Sequence, residues 1–433
     1  MPHTEQNMIK PLFYRHIVLD NVGNEKSVRR LSSLLSRDHT RGSPKISWIH
    51  TFYIKSLWSH WISVESNLEE QQYDTVALIV RMGALRELSC LIPLIEKDLT
   101  FIASYHGPAL TKLNVRLTWK LLPLIQRFPA LEDLQILYDN PRGYSELQTV
   151  YHYTPMRHPD FAASITLPSL RVLMLSVPLG HFILLDWLKN CNLPMLRKMV
   201  FTGKPISLGL DLGSLSIFLL NHGRGLRHFG FGSEYVTRPN YTTDFLPHMP
   251  NISTIEICSP ISDGFYLDHL PMSVKQIVLR GFNWRLRFGS NLYYAFDSKV
   301  LDKMSQAVRK LHPGHSLRSF RVVREYGDNE PWLWEDAMEL DTFKGFQVGE
   351  TFRKPVMDLS QFGVDILDEQ GVALADVVKE LDSVHDLAAC SKCSTHCRDQ
   401  PLRVIGFEIV ENKSCVSFPT SAVALSYPCS LRT

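Results

Sequence analysis

Pro168-Ser-Leu170-Arg171-Val-Leu173-Met-Leu175 is followed, with first leucines 26 residues apart, by Pro194-Met-Leu196-Arg197-Lys-Met199-Val-Phe201. Each stretch holds three apolar residues in the order apolar-x-x-apolar-x-apolar. The last two are spaced as alternate residues of a β-strand, so their side chains share one face. Proline two residues ahead of the first apolar position fixes the chain before the strand, and it cannot sit inside a hydrogen-bonded ladder. These two lines decide the fold, because the same pattern returns along most of the chain.

Working outward, the pattern is found at Ile49-Phe52-Ile54, Leu85-Leu88-Cys90, Leu110-Leu113-Val115 and Leu131-Leu134-Ile136 on one side. It continues at Leu226-Phe229-Phe231, Ile252-Ile255-Ile257, Val274-Ile277-Leu279, Leu317-Phe320-Val322 and Leu402-Ile405-Phe407 on the other. Three regularities lift these eleven units above chance. The two residues between the first and second apolar positions are polar or charged in 20 of 22 instances. Proline stands two residues before five units (Pro108, Pro129, Pro168, Pro194, Pro250), whereas 25 prolines in 433 residues predict fewer than one. A basic residue follows the first apolar position in seven units: Arg86, Arg171, Arg197, Arg227, Lys275, Arg318 and Arg403.

Six of the ten spacings between successive units fall between about 20 and 30 residues, which is the leucine-rich-repeat range or just beyond it. Between strands, Ser298 to Leu311 has helical apolar spacing, and Leu179–Leu188 and Leu212–Leu220 read as short buried helices. A strand plus a helix cannot bury its apolar face alone, so neighbouring units must stack. The expected fold is α/β, an irregular leucine-rich-repeat solenoid with a parallel inner sheet, outer helices and an acidic C-terminal extension. Its expected divisions are a lead-in at 1–43, the solenoid at 44–325 and an acidic segment at 326–433. Residues 321–390 carry sixteen acidic against six basic side chains, although the whole chain has a net charge of only +2. That balance does not advertise nucleic acid.

Pro-x-Leu-Arg-x-Leu-x-Leu units at uneven spacing resemble the leucine-rich-repeat proteins of the fungal F-box type. The run Leu12-Phe13-Tyr14-Arg15-His16-Ile17-Val18-Leu19, then Val28-Arg29-Arg30-Leu31-Ser32-Ser33-Leu34-Leu35, is similar to the strand and helix that lead from the F-box into the first repeat in that family. The resemblance implies substrate selection for a cullin-type ubiquitin ligase, with the solenoid gripping the substrate. Only eleven residues precede the matching run, too few for an F-box, so a Skp-type adaptor is expected as a partner only if that helical module lies upstream. The alternatives are a stand-alone repeat protein unrelated to ubiquitination, or a hydrolase-like enzyme.

No Gly-x-Ser-x-Gly elbow, phosphate-binding glycine loop, His-Glu-x-x-His or dinucleotide fingerprint occurs. The expectation is therefore a non-enzymatic scaffold. Cys390-x-x-Cys393-x-x-x-Cys397, with His385 and His396 beside it, has metal-ligand character, but it lacks the distant second pair that a structural zinc site favours. We expect free thiols there and no cofactor. With no apolar run behind a basic N-terminal tip and no long apolar stretch, the expected location is cytoplasmic or nuclear, and the expected partner a protein, with no nucleic acid or membrane. Trp332-Leu333-Trp334 reads either as an exposed anchor or as packing at the solenoid's end. The seven basic residues form either a ladder for an acidic partner or a solubilising rim. The third and fifth places of each unit should point away from the core and line a concave surface. On that surface Val172, Met174, Lys198, Val200, His228 and Glu256 are the candidate partner-binding residues, the apolar ones standing out in an otherwise polar row.

Overall fold

The computed structural model describes residues 15–19, 30, 31, 33, 48–54, 75–138, 164–176, 182–202, 212–232, 245–258, 267, 270–280, 298–323, 334, 350–379, 403, 404, 407 and 408. Contacts divide the chain into one unit spanning Met1–Asp376 and another spanning Val377–Thr433.

The first unit is organised by a twelve-stranded sheet in which every pairing is parallel. Its strands are His16–Leu19 (β1), Thr51–Ile54 (β2), Glu87–Pro93 (β3), Lys112–Leu117 (β4) and Asp133–Tyr138 (β5). After a short segment, Ile165–Thr166 (β6), the sheet continues with Val172–Ser176 (β7). Another short segment, Cys191–Asn192 (β8), comes before Lys198–Thr202 (β9), His228–Gly232 (β10) and Thr254–Cys258 (β11). Gln276–Arg280 (β12), Ser319–Val323 (β13) and Asp365–Leu367 (β14) complete it. Strands pair in strict chain order, with β6 and β8 forming a separate two-stranded parallel ribbon. Parallel neighbours need a crossover connection. Helices Glu96–His106, Phe182–Lys189, Leu212–His222, Ser298–Arg309 and Glu350–Gln361 supply several of them.

Ten of the eleven motif units form sheet strands, and every one of their apolar side chains that is described is buried. In four units the proline opens a β-turn. Leu131, Leu170, Leu196 and Ile252 each donate their backbone N–H to the residue three before, at 3.1–3.3 Å. Pro129, Pro168, Pro194 and Pro250 thus occupy the second turn position, where a fixed φ suits a type I turn.

The residue after the first apolar position carries a backbone chain of its own. Arg171 N–H donates to Glu132 O, Arg197 N–H to Arg171 O, and Arg227 N–H to Arg197 O, all at 2.8–2.9 Å. Its side chain then clamps the next turn. Arg86 donates to Ala109 O at 3.0 Å, Arg197 to Gly225 O at 3.3 Å and Arg227 to Asn251 O at 3.0 Å. The basic row is therefore in part an inter-unit staple.

Several expectations change. The boundaries at 43/44 and 325/326 do not divide the sheet, since β1 and β14 pair with it at either end. Part of the acidic segment is built into this unit. Val356, Leu359, Val364 and Ile366 are buried, and Asp358 pairs with Arg309 of the preceding helix. The eleventh motif is not a sheet member. Arg403–Val404 (β15) pairs antiparallel with Phe407–Glu408 (β16) in the second unit. Trp334 is buried, and its indole N–H donates to Val372 O at 2.8 Å, so this tryptophan packs inside the first unit rather than standing out as an anchor.

Candidate functional site

Alternation along each strand sends the motif residues to the core and their neighbours to the opposite face of the sheet. Parallel registration then lines up equivalent positions from strand to strand. Glu87, Lys112, Asp133, Val172, Lys198 and His228 stand side by side across β3, β4, β5, β7, β9 and β10. One place further along run Ser89, Asn114, Gln135, Met174, Val200, Gly230 and Glu256. This second face is the candidate site.

Its two flanks are internally bonded. On the N-terminal side, Tyr53 OH donates to Glu87 Oε2 at 2.9 Å, and Lys112 Nζ lies 3.4 Å from Glu87 Oε1. Burial, and then the Glu87 bond, push the Tyr53 hydroxyl up to about 12, so the phenol stays protonated as a donor. Asn114 Nδ2 donates to Ser89 Oγ at 3.0 Å.

On the C-terminal side, Glu256 has no exposed surface at all. Both of its oxygens are engaged. Arg280 Nε donates to Oε1 at 2.5 Å, and His228 Nε2 lies 2.8 Å from Oε2. A carboxylate only accepts, so the His228 proton sits on Nε2. Burial lowers the His228 pKa below 6.5, the Glu256 bond works against that shift, and Lys198 and Arg280 add to it.

Between the flanks the pattern breaks. Val172 and Met174 are half-buried apolar side chains. Asp133 and Lys198 border them, also half-buried, and among the described residues neither side chain has an ion pair or hydrogen bond. Burial raises the Asp133 pKa; Lys112 and Lys198 offset part of the shift, and Glu87 adds to it. Lys112 makes its ion pair with Glu87, at 3.4 Å, and reaches Asp133 through its charge alone.

Four of the six candidate residues, Val172, Met174, Lys198 and His228, thus keep some exposure on this face. Val200 and Glu256 are corrections, since both are fully buried. A Cβ on Gly230 would lie 2.7 Å from Val200 Cγ1, so the valine occupies the space that a side chain at 230 would take. Glu256 is closed in by its two bases. Alternation tells which way a side chain points; its neighbours in register decide whether water reaches it. Asp133 and Arg280 were absent from the expected set. Both become visible once strand order shows what stands beside Val172 and Glu256.

Elsewhere, a cleft of about 460 Å³ is lined by Ser164, Lys189, Asn190, Cys191, Asn192, Asn221 and His222. Lys189 is tied to Asp186 at 2.8 Å, and His222 Nε2 lies 2.9 Å from Cys191 O. Burial pushes the Cys191 thiol far up, and that thiol donates to Trp187 O at 3.3 Å, an arrangement that favours the neutral thiol over the thiolate. Cys90 and Cys191 are free and buried. Among the described residues, no three His, Cys, Asp or Glu side chains converge as a metal site, and no helix is long and apolar enough to cross a membrane. Cys390, Cys393, Cys397, His385 and His396 lie outside the described residues.

No family model matches the chain, and no curated protein matches it. Among solved structures it is similar to an internalin (inlF) from Listeria monocytogenes, with 14% identity over 56% of this chain and 68% of that chain and a TM-score of 0.26. A likeness of that size says nothing about what this chain binds.

Proposed function

We propose that this chain is a non-enzymatic leucine-rich-repeat scaffold that holds a protein partner on the second face of its sheet, in the cytoplasm or nucleus. One observation carries the reading: an in-register parallel sheet presents charged side chains already fixed by pairing, with a half-buried apolar gap between them. Preorganised polar groups around an apolar centre favour a specific partner, because little ordering entropy remains to be lost on binding.

The test is a photo-crosslinking residue placed at Met174 and, separately, at the exposed Ser104 of helix Glu96–His106. Protein adducts are expected from position 174 and not from 104. Adducts from 104 alone would move the partner to the helical side and sink the reading.

A finer version makes the chain the substrate-selecting part of an F-box-type ubiquitin ligase. It is supported by the Tyr14-Arg15-His16-Ile17-Val18 run, whose described part forms β1 and pairs with β2. Residues 1–433 are expected not to retain a Skp-type adaptor in a pull-down, and to retain it when an F-box is fused upstream. Failure of the fusion would leave the stand-alone scaffold.

A further inference from the structure

We propose that the gap between β5 and β9 is a docking notch for a partner segment of mixed charge, one apolar side chain flanked by a basic and an acidic one. The proposal rests on the scaffold reading above and adds the chemistry of the occupant. The floor is Val172 and Met174. One wall is the Asp133 carboxylate and the other the Lys198 ammonium, placed on the strands either side of β7. Two strand spacings put their Cα atoms about 10 Å apart, and the Lys198 charge is felt at Asp133.

Charge complementarity selects the occupant. Every other acidic side chain described in these two rows between β3 and β11 already holds a cation or a donor: Glu87 has Tyr53 and Lys112, and Glu256 has His228 and Arg280. Among the described residues of these two rows, Asp133 and Lys198 are the charged side chains of opposite sign that hold no hydrogen bond or ion pair, each beside an apolar surface. A uniformly basic segment would meet Lys198 with a like charge, and a uniformly acidic one would meet Asp133. In an extended segment alternate side chains share a face, so the order basic-x-apolar-x-acidic presents all three groups to the notch at once. Its outer Cα atoms are about 13 Å apart, and the long side chains angle inward to the two walls.

The experiment uses the full chain and three pools of fluorescent synthetic peptides, built on Lys-x-Leu-x-Glu, Lys-x-Leu-x-Lys and Glu-x-Leu-x-Glu and read by polarisation. The parent is expected to hold the mixed pool about tenfold tighter than either like-charged pool. Asp133→Lys should move the preference to the doubly acidic pool, and Lys198→Glu to the doubly basic one. Thermal melts check that each variant is folded; if one is not, Asp133→Asn and Lys198→Gln must erase the mixed-pool preference instead. An unchanged ranking in the variants, or no ranking in the parent, overturns the proposal. So does a parent that binds no pool yet loses self-association on Met174→Glu, which would place a second copy in the notch. The crosslinker at Met174 separates the two levels: peptide adducts without charge ranking leave the docking face standing and remove the notch, whereas no adducts remove both.

Discussion

Glu87 and Glu256 stand on the same face of the same sheet, each facing one cation, yet they live in different solvents. The Glu87 pair keeps 28% of the glutamate side chain and 53% of the Lys112 side chain exposed. The Glu256 pair keeps 0% of the glutamate and 18% of Arg280. What differs is the neighbours. Glu256 is flanked in register by Gly230, over which Val200 folds, and by the buried Val278. The same side-chain chemistry is thus a rim contact at one end of the face and a buried polar cluster at the other. A partner can compete for the first and not for the second.

The sharpest way to break this comparison is to remove one base from each pair. Arg280→Leu takes the guanidinium away from a buried carboxylate, and should destabilise the protein by about 3–5 kcal/mol. Lys112→Met removes an exposed partner and should cost under about 1 kcal/mol. Urea unfolding of both variants measures the difference. Equal midpoints would mean that Glu256 reaches water after all.

Next in size is Gly230→Ala. The added Cβ meets Val200 Cγ1 at 2.7 Å, and overpacking of this kind costs about 1–3 kcal/mol. Val200→Ala in the same chain should recover much of that loss, so the double mutant should be more stable than the sum of the single changes. Additive effects would show that the valine does not fill this space.

That pair also shows why the site was only half legible in the sequence. The core was written plainly, since Leu134, Ile136, Leu173 and Leu175 obey a local rule that needs no knowledge of the neighbours. The turn prolines and the stapling arginines were visible too, because each acts at a fixed offset from its own strand. Strand β14 was hidden. Gly363, at φ +70°, stands where the first leucine would be, and a left-handed backbone there favours glycine over any motif residue. Accessibility on the second face was hidden for a different reason. Whether Val200 is open depends on residue 230, thirty positions away, and no spacing rule within a unit carries that information.

A smaller effect should follow acidity. Burial holds the folded-state pKa values of His106, His222 and His228 below the ordinary 6.5. Between those lowered values and 6.5 the unfolded chain binds the extra protons. The stability they contribute is therefore present above 6.5 and lost as pH falls through the lowered values. The urea midpoint should drop on going from about pH 8 to about pH 5. A midpoint that stays level or rises with acid would contradict the buried, neutral imidazoles.

The smallest expected effect is the one that bears most on function. Asp133 carries a half-buried carboxylate with no hydrogen bond or ion pair to a described side chain, and burial raises its pKa above the ordinary 3.8. For an acid shifted upward the sign is the reverse of the histidines: the folded state prefers the protonated form, and stability is lost as pH rises through the raised value. Asp133→Asn keeps the shape and removes the charge. It should stabilise the chain slightly at pH 7, within about 0.5 kcal/mol for a side chain this open. The gap between variant and parent should close as pH falls into the carboxylate range, where Asp133 itself becomes neutral. A carboxylate that costs the fold stability, with the Lys198 ammonium across the Val172–Met174 floor, fits the mixed-charge partner proposed above. If Asp133→Asn is instead clearly less stable than the parent at pH 7, the carboxylate is supporting the sheet, and its charge is no argument for a mixed-charge partner.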